Sequence, residues 1–352
     1  MVQDTSATAA SPTTTTPSLD PLVAMMADDM VRVNATILDR MNSDVPLIPQ
    51  LAGHLIAAGG KRMRPLLTLA GANMMAKPDN HNGAHDGAIQ LATAVEFIHS
   101  ATLLHDDVID ESNLRRGRDT ANALWGNEAS VLVGDFLFAR AFELMVEAGS
   151  IAILGRLSAA AANITEGEIK QMAVTGEPAT PLADYLDVIT GKTAILFAAA
   201  AASGAEVAGG TADDIAAMHA YGLNLGMAFQ IMDDALDYTA DAAAMGKNAG
   251  DDFVDQKITM PAILAWQDGT EDERAFWQRT LGDGAQDGAD DFIMAQRILT
   301  RHDAINRSLQ AAGDYVDAAI AALAPYRHDG SHNKALADAL AAAAAFAAAR
   351  KS

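Results

Sequence analysis

A chain of 352 residues can bury a large core, and its length alone allows one big domain or two ordinary ones. Aromatics make up only 5%, alanine is abundant and β-branched runs are scarce, which favours helix and argues against a β-rich fold. A formal charge of -22 argues against general nucleic-acid binding, because a phosphate backbone needs a basic surface, and zero cysteines exclude disulfides and thiolate chemistry.

Residues 1–20 are mostly Ser, Thr, Pro and Ala, without the basic start of a signal peptide or the arginines of a mitochondrial presequence. They read as a disordered, solvated tail, and 21–352 as a single all-helical domain with no clear internal boundary. No run of 18 strongly apolar residues appears, so no transmembrane span is expected. Together with the missing cysteines, this points to a cytoplasmic protein.

Helical patterns cover 21–41 and 46–58 and break at Gly59-Gly60. Lys61, Arg62 and Arg64 then fall within four positions, in a chain whose only earlier basic residues are Arg32 and Arg40. The segment 59–65 offers a backbone that can approach a phosphate, two or three cations and a following helix N-terminus, without Walker-loop spacing. Charge alone allows an equal rival, a solvated helix end.

A long helix is expected over 83–110, where Ala88, Leu91, Ala92, Val95, Ile98 and Thr102 trace a buried stripe. It ends in Asp106-Asp107-x-x-Asp110. Further helices are expected over 127–147, 151–175, 181–203 and 212–238, the last ending in Asp233-Asp234-x-x-Asp237. The stretch 281–291 reads as a Gly- and Asp-rich loop before a helical C-terminal segment.

In each aspartate element the first and last carboxylates are four residues apart and share a helix face. Left uncompensated they repel by roughly 0.2–0.5 kcal/mol, at a helix end where the macrodipole also disfavours anions. A bound cation reverses that balance, and a few hard oxygen ligands suit Mg²⁺ better than Zn²⁺. One such element is weak evidence, since acidic helix ends are common, but two on apolar helices are strong. Arg115 and Arg116 follow within two turns, and arginine forks suit diphosphate oxygens.

The segments 59–65, 97–110, Arg115-Arg116-Gly117, 133–137, Gly191-Lys192-Thr193, 229–237 and 246–257, in this order and spacing, resemble the trans-isoprenyl diphosphate synthase family across roughly 22–264. The likeness is greatest to bacterial long-chain octaprenyl and decaprenyl diphosphate synthases. It implies an isoprenoid-synthase helical bundle around a deep central cavity, the two aspartate motifs facing each other across its mouth, usually as a homodimer. It further implies condensation of isopentenyl diphosphate onto an allylic diphosphate (geranyl, farnesyl or geranylgeranyl), with Mg²⁺ as cofactor and Mn²⁺ as its substitute. The implied product is about C40 to C50, for quinone side chains, and peripheral membrane contact is compatible with it.

By motif position, Asp106, Asp110 and Asp233 would ligate the metal, with Asp107, Asp234 and Asp237 in direct or indirect support. Lys61, Arg64, His99 and Arg116 would hold isopentenyl diphosphate. Arg115, Lys192, Thr193, Gln230, Lys247 and Lys257 would hold the allylic diphosphate. The small Ala101 and Thr102 would line the shaft for the growing chain, with Ile98 and Phe136 deeper. Seen alone, His99 reads as a satisfied core histidine, Gln230 as a buried amide, and Lys192 and Thr193 as ordinary mid-helix residues. Relatives commonly carry Glu-Gly-Lys where this chain has Asp255-Gln256-Lys257, so a stiffer turn is expected before Lys257. Three rivals remain: a C15 to C20 synthase, a terpene cyclase, and a non-catalytic subunit of a heteromeric synthase. Retention of both aspartate motifs and of the Gly-Gly-Lys-Arg segment weighs against the last two.

Overall fold

The computed structural model describes residues 17–57, 60–76, 86–115, 117–239 and 250–349. Helices α1 (Asp20–Met25), α2 (Ala27–Arg40) and α3 (Leu47–Ala57) lead to α4 (Met63–Met75) and the long α5 (Asp86–Ile109). A small antiparallel hairpin, β1 (Leu114–Arg115) and β2 (Arg118–Asp119), precedes α6 (Ala121–Trp125), α7 (Asn127–Glu147) and α8 (Ile151–Val174). Next come α9 (Leu182–Ile189), a π turn over Thr190–Ala194, α10 (Ile195–Val207) and α11 (Ala212–Asp237). Short helices α12 (Asp251–Val254), α13 (Met260–Asp268) and α14 (Glu271–Trp277) follow, the last running into a second π turn over Gln278–Gly282. The chain ends in α15 (Gly288–Arg301), α16 (Ala304–Ala322), a 3-10 turn at Ala324–Tyr326 and α17 (Lys334–Ala348).

The alanine content has a packing reason. Helix α10 lies against α4, α8 and α11, and its Ala198–Ala202 run is buried on every side. Its neighbours come so close that a Cβ on Gly71 would strike the Ala201 carbonyl, one on Gly204 that of Thr68, and one on Gly222 that of Phe197. Only small side chains allow backbones this near, so α10 spends its apolar surface on close contact rather than on bulk. Helix α5 packs along α7, where the His105 ring occupies the space a side chain at position 134 would need.

Two apolar clusters fill the molecule, one under α1–α8, α10, α17 and the C-terminal half of α16, the other under α9, α12–α15 and the N-terminal half of α16. Helix α11 contributes to both. It is started by a capping box in which the Thr211 hydroxyl accepts from the Asp214 N–H while the Asp214 carboxylate accepts from the Thr211 N–H. A start fixed so firmly carries a single helical register through 26 residues to the second aspartate cluster.

The expected helices over 127–147, 151–175 and 212–238 match α7, α8 and α11 to within a residue. That over 21–41 is two helices meeting at Met26, and that over 181–203 carries the π turn in its middle. The expected loop at 281–291 is shorter, since the π turn reaches Gly282 and α15 begins at Gly288. Residues 1–16 of the expected tail lie outside the described residues, and Leu19 is already buried in the core. Two helical segments, Asp86–Ile109 and Leu182–Val207, are long and apolar enough to cross a membrane, but their apolar windows are 67% and 78% buried inside the fold. They are core helices.

Candidate active site

The last turn of α5 sorts its aspartates by face. Asp107 is buried, and its Oδ1 accepts from Arg115 through Nε at 2.8 Å and Nη2 at 2.7 Å. The hairpin turns on Gly117, at φ 72, and brings Arg115 back over the helix it has just left. Two of the donors of Arg115 thus serve Asp107. On the other face, burial pushes the Asp106 carboxyl up to about 7; Lys192 opposes the shift, while Glu168 and Asp110 add to it. Asp110 stands 3.7 Å from the Lys257 ammonium.

The last turn of α11 does the same. Asp234 is buried, its Oδ2 accepting from the Tyr185 hydroxyl at 2.6 Å and its Oδ1 from Gln230 at 2.7 Å. Thr193 in turn donates to Oε1 of Gln230 at 2.8 Å. Burial and the nearby Asp252 hold the Asp234 carboxyl at about 7, against the pull of its two donors. Asp237 is also buried and accepts from the backbone N–H of Asp252 at 3.1 Å. Asp233 is the one aspartate of this motif left partly open to solvent.

The two clusters border one crevice, because cations bridge it. Lys257 lies 3.7 Å from Asp110 of the first motif and 3.9 Å from Asp252, whose N–H binds Asp237 of the second. Lys192 acts electrostatically on Asp106, while Thr193 beside it joins the hydrogen-bond chain to Asp234. Lys192 sits in the π turn, so it is not the ordinary mid-helix residue its sequence allowed. Such turns recur at functional sites.

Lys257 owes its position to a Schellman ending of α12, in which the Lys257 N–H donates to the Asp252 carbonyl at 2.9 Å and the Gln256 N–H to that of Phe253 at 3.2 Å. Gln256 occupies the left-handed position at φ 57, where glycine fits without strain. The turn keeps the shape a glycine would give it, and the cost is local. Gln256→Gly is expected to raise unfolding stability by about 0.5–1 kcal/mol, read as a higher urea midpoint with the slope unchanged. A lower midpoint would mean that the packing of the Gln256 side chain over Gly284 outweighs the strain.

The anion segment enters α4. Arg62, left-handed at φ 44, pairs with Glu96 of α5 at 3.3 Å. The Lys61 ammonium lies 4.4 Å from the Phe346 ring centroid, and the Arg64 guanidinium lies 4.5 Å from that of Phe197. His99 is half-buried, its carbonyl accepting from the Thr102 hydroxyl at 2.8 Å. Arg116 and Lys247 lie outside the described residues.

Ala101 and Ile98 are buried, while Thr102 and Phe136 are half-buried. A small cavity of about 20 Å³ lies nearby, its α5 wall formed by Glu96, Phe97 and Ser100 rather than by Ala101 or Thr102.

Four residues of the site were not legible beforehand: Glu168 and Gln171, which hold Lys192, Tyr185, which holds Asp234, and Asp252. The only available hint was that Tyr185 precedes Lys192 by two helical turns.

The polyprenyl synthetase family model matches residues 45–296. The octaprenyl diphosphate synthase of Haemophilus influenzae is 43% identical over 305 residues, covering 86% of this chain and 90% of that protein. Among solved structures, a polyprenyl synthase from Caulobacter crescentus CB15, complexed with calcium and isoprenyl diphosphate, superposes with a TM-score of 0.89 at 47% identity, covering 96% of this chain and 99% of that one. A decaprenyl diphosphate synthase from Rhodobacter capsulatus gives a TM-score of 0.87 at 44% identity, covering 95% and 100%. With its two aspartate clusters bridged across one crevice of an all-helical bundle, this chain belongs to the polyprenyl synthetase family.

Proposed function

We propose that this protein is a long-chain trans-polyprenyl diphosphate synthase that adds isopentenyl units one by one to an allylic diphosphate, giving a product of about C40 to C50 for a quinone side chain. One observation carries the reading: two aspartate clusters, each with open and buried members, face one crevice that lysines span. The relatives named above support the product class.

The residues present fit a divalent cation. The donors the two motifs offer are all carboxylate oxygens, which suits Mg²⁺ better than Zn²⁺, because Mg²⁺ keeps waters and takes phosphate oxygens beside one or two carboxylates. Asp106, Asp110 and Asp233 would hold it, since they are only partly buried at the crevice, whereas Asp107, Asp234 and Asp237 are buried. The bound metal supplies charge neutralisation of the diphosphate leaving group.

Lys192 and Lys257 flank that leaving group and stabilise the charge it gains as the allylic carbon–oxygen bond breaks. Lys61, Arg64 and His99 hold isopentenyl diphosphate so that its double bond meets the allylic carbon. The proton then lost goes to the departing diphosphate. Glu168, a carboxylate outside both motifs, is engaged with Lys192. The buried apolar side chains around α5 keep water from the cation. The homodimer is part of the same reading, supported by Leu132, Phe142 and Val146, which α7 leaves exposed.

Incubation with labelled isopentenyl diphosphate, farnesyl diphosphate and Mg²⁺, followed by chromatography of the dephosphorylated products, tests the reading. Chains of about C40 to C50 are expected, and products ending at C15 or C20 would overturn the long-chain assignment. The two substrate sites should also separate by mutation. Lys61→Ala is expected to raise the KM for isopentenyl diphosphate about tenfold or more, and Lys192→Ala that for the allylic substrate, as loss of a charge-assisted contact implies. A change confined to the allylic KM in Lys61→Ala would reverse the site map.

A further inference from the structure

A carboxylate belonging to neither aspartate motif grips the catalytic-side lysine. Glu168 lies on the buried face of α8, 7% exposed, with Oε2 2.6 Å from Nζ of Lys192. Gln171, three residues on, accepts from the same ammonium at 3.2 Å through Oε1 and donates to Oε1 of Glu168 at 3.4 Å. The three side chains form a closed set around one cation.

The backbone is shaped for this contact. A Cβ on Gly167 would lie 2.5 Å from the backbone nitrogen of Lys192 and 2.9 Å from the carbonyl carbon of Gly191. A Cβ on Gly191 would lie 3.0 Å from the Asn163 carbonyl oxygen. Two glycines therefore let α8 and the π turn touch, and the residue after each, Glu168 and Lys192, meets the other beside that contact. A lysine ammonium has three donors. One is given to Gln171, the ammonium as a whole is ion-paired to Glu168, and its charge is felt at Asp106.

We propose that Glu168, with Gln171, is a positioning residue that aims Lys192 at the allylic diphosphate, a role that rests on the prenyl-transfer reading above. A free lysine surrenders its rotamer freedom when it grips a phosphate, whereas one already held by a buried carboxylate and an amide has surrendered it on folding. Its remaining donors then meet each successive allylic diphosphate without rearrangement. The rival is an ion pair that merely compensates a buried charge, which would alter stability and leave substrate discrimination alone.

Steady-state KM values for farnesyl diphosphate and for isopentenyl diphosphate, measured with Mg²⁺ in Glu168→Gln, Gln171→Leu, Lys192→Ala and the double variant Glu168→Gln/Lys192→Ala, decide between them. Glu168→Gln is expected to raise the farnesyl diphosphate KM about tenfold and to leave that of isopentenyl diphosphate within about twofold. The effect should vanish in the Lys192→Ala background, since the carboxylate acts only through the lysine. Gln171→Leu should move the same KM in the same direction by less, and it serves if Glu168→Gln fails to fold. An unchanged farnesyl diphosphate KM in the folded variants, an equal rise for both substrates, or a full effect persisting without Lys192 would overturn the proposal. A parent enzyme that elongates nothing would overturn the functional reading instead.

Discussion

Asp106→Asn is expected to lower the condensation rate by roughly 10³-fold or more, because the substitution keeps the shape of the side chain and removes a charge that a divalent cation needs. Asp233→Asn should do the same from the other side of the crevice. Full activity in either variant, or in EDTA, would sink the assignment. The same substitution carries a second, opposite signature. The Asp106 carboxyl is raised from 3.8 to about 7 by burial and by its neighbours Glu168 and Asp110, against Lys192. The folded state therefore binds more protons than the unfolded state between these values, so this group destabilises the metal-free protein progressively as pH rises from about 4 to 7. Asparagine removes that cost, and above pH 7 the metal-free variant should be more stable by on the order of 1 kcal/mol after allowance for partial solvent access. A variant that loses both activity and stability would mark Asp106 as structural. Protons and metal compete for the same oxygens, so the metal concentration needed for half-maximal rate should climb as pH falls through about 7.

Ala101→Tyr is expected to shorten the product from about C40–C50 to within a few isoprene units of the primer, since position 101 lies five residues, about 7.5 Å, below Asp106 along α5. The growing chain is proposed to descend this helix from the metals. Ala101 is fully buried, which leaves two readings of its small size. If it borders the shaft, a tyrosine ring enters space reserved for the product and costs little stability. If it only lets α5 approach its neighbours, the ring has nowhere to go and overpacking costs about 1–3 kcal/mol. Product length and thermal midpoint measured together separate these cases. Full-length chains from a destabilised variant would move the shaft to another face of α5, where Glu96, Phe97 and Ser100 wall the nearby cavity.

Much of this protein was legible in short windows of sequence. Helical periodicity repeats every 3.6 residues, so α7, α8 and α11 were fixed to within a residue, and the spacing of Asp106 with Asp110 and of Asp233 with Asp237 placed each pair on one face. The seven motif segments in their order identified the family. The hairpin, α6 and α12–α14 were not assigned, and only the start of α4 was expected, because short elements held by long-range packing leave little local pattern. What only the tertiary structure decided is which members of each cluster are open and what holds the others. Asp107 is closed by Arg115, eight residues away, but Asp234 is closed by Tyr185, 49 residues away, and Lys192 is held by Glu168 on another helix. The left-handed Gln256 likewise shows that the turn before Lys257 keeps its form without glycine, because the Schellman hydrogen bonds outweigh the strain. Periodicity is a property of neighbours along the chain, whereas burial, charge pairing and the fit of glycine against backbone belong to residues that meet only once the bundle has closed.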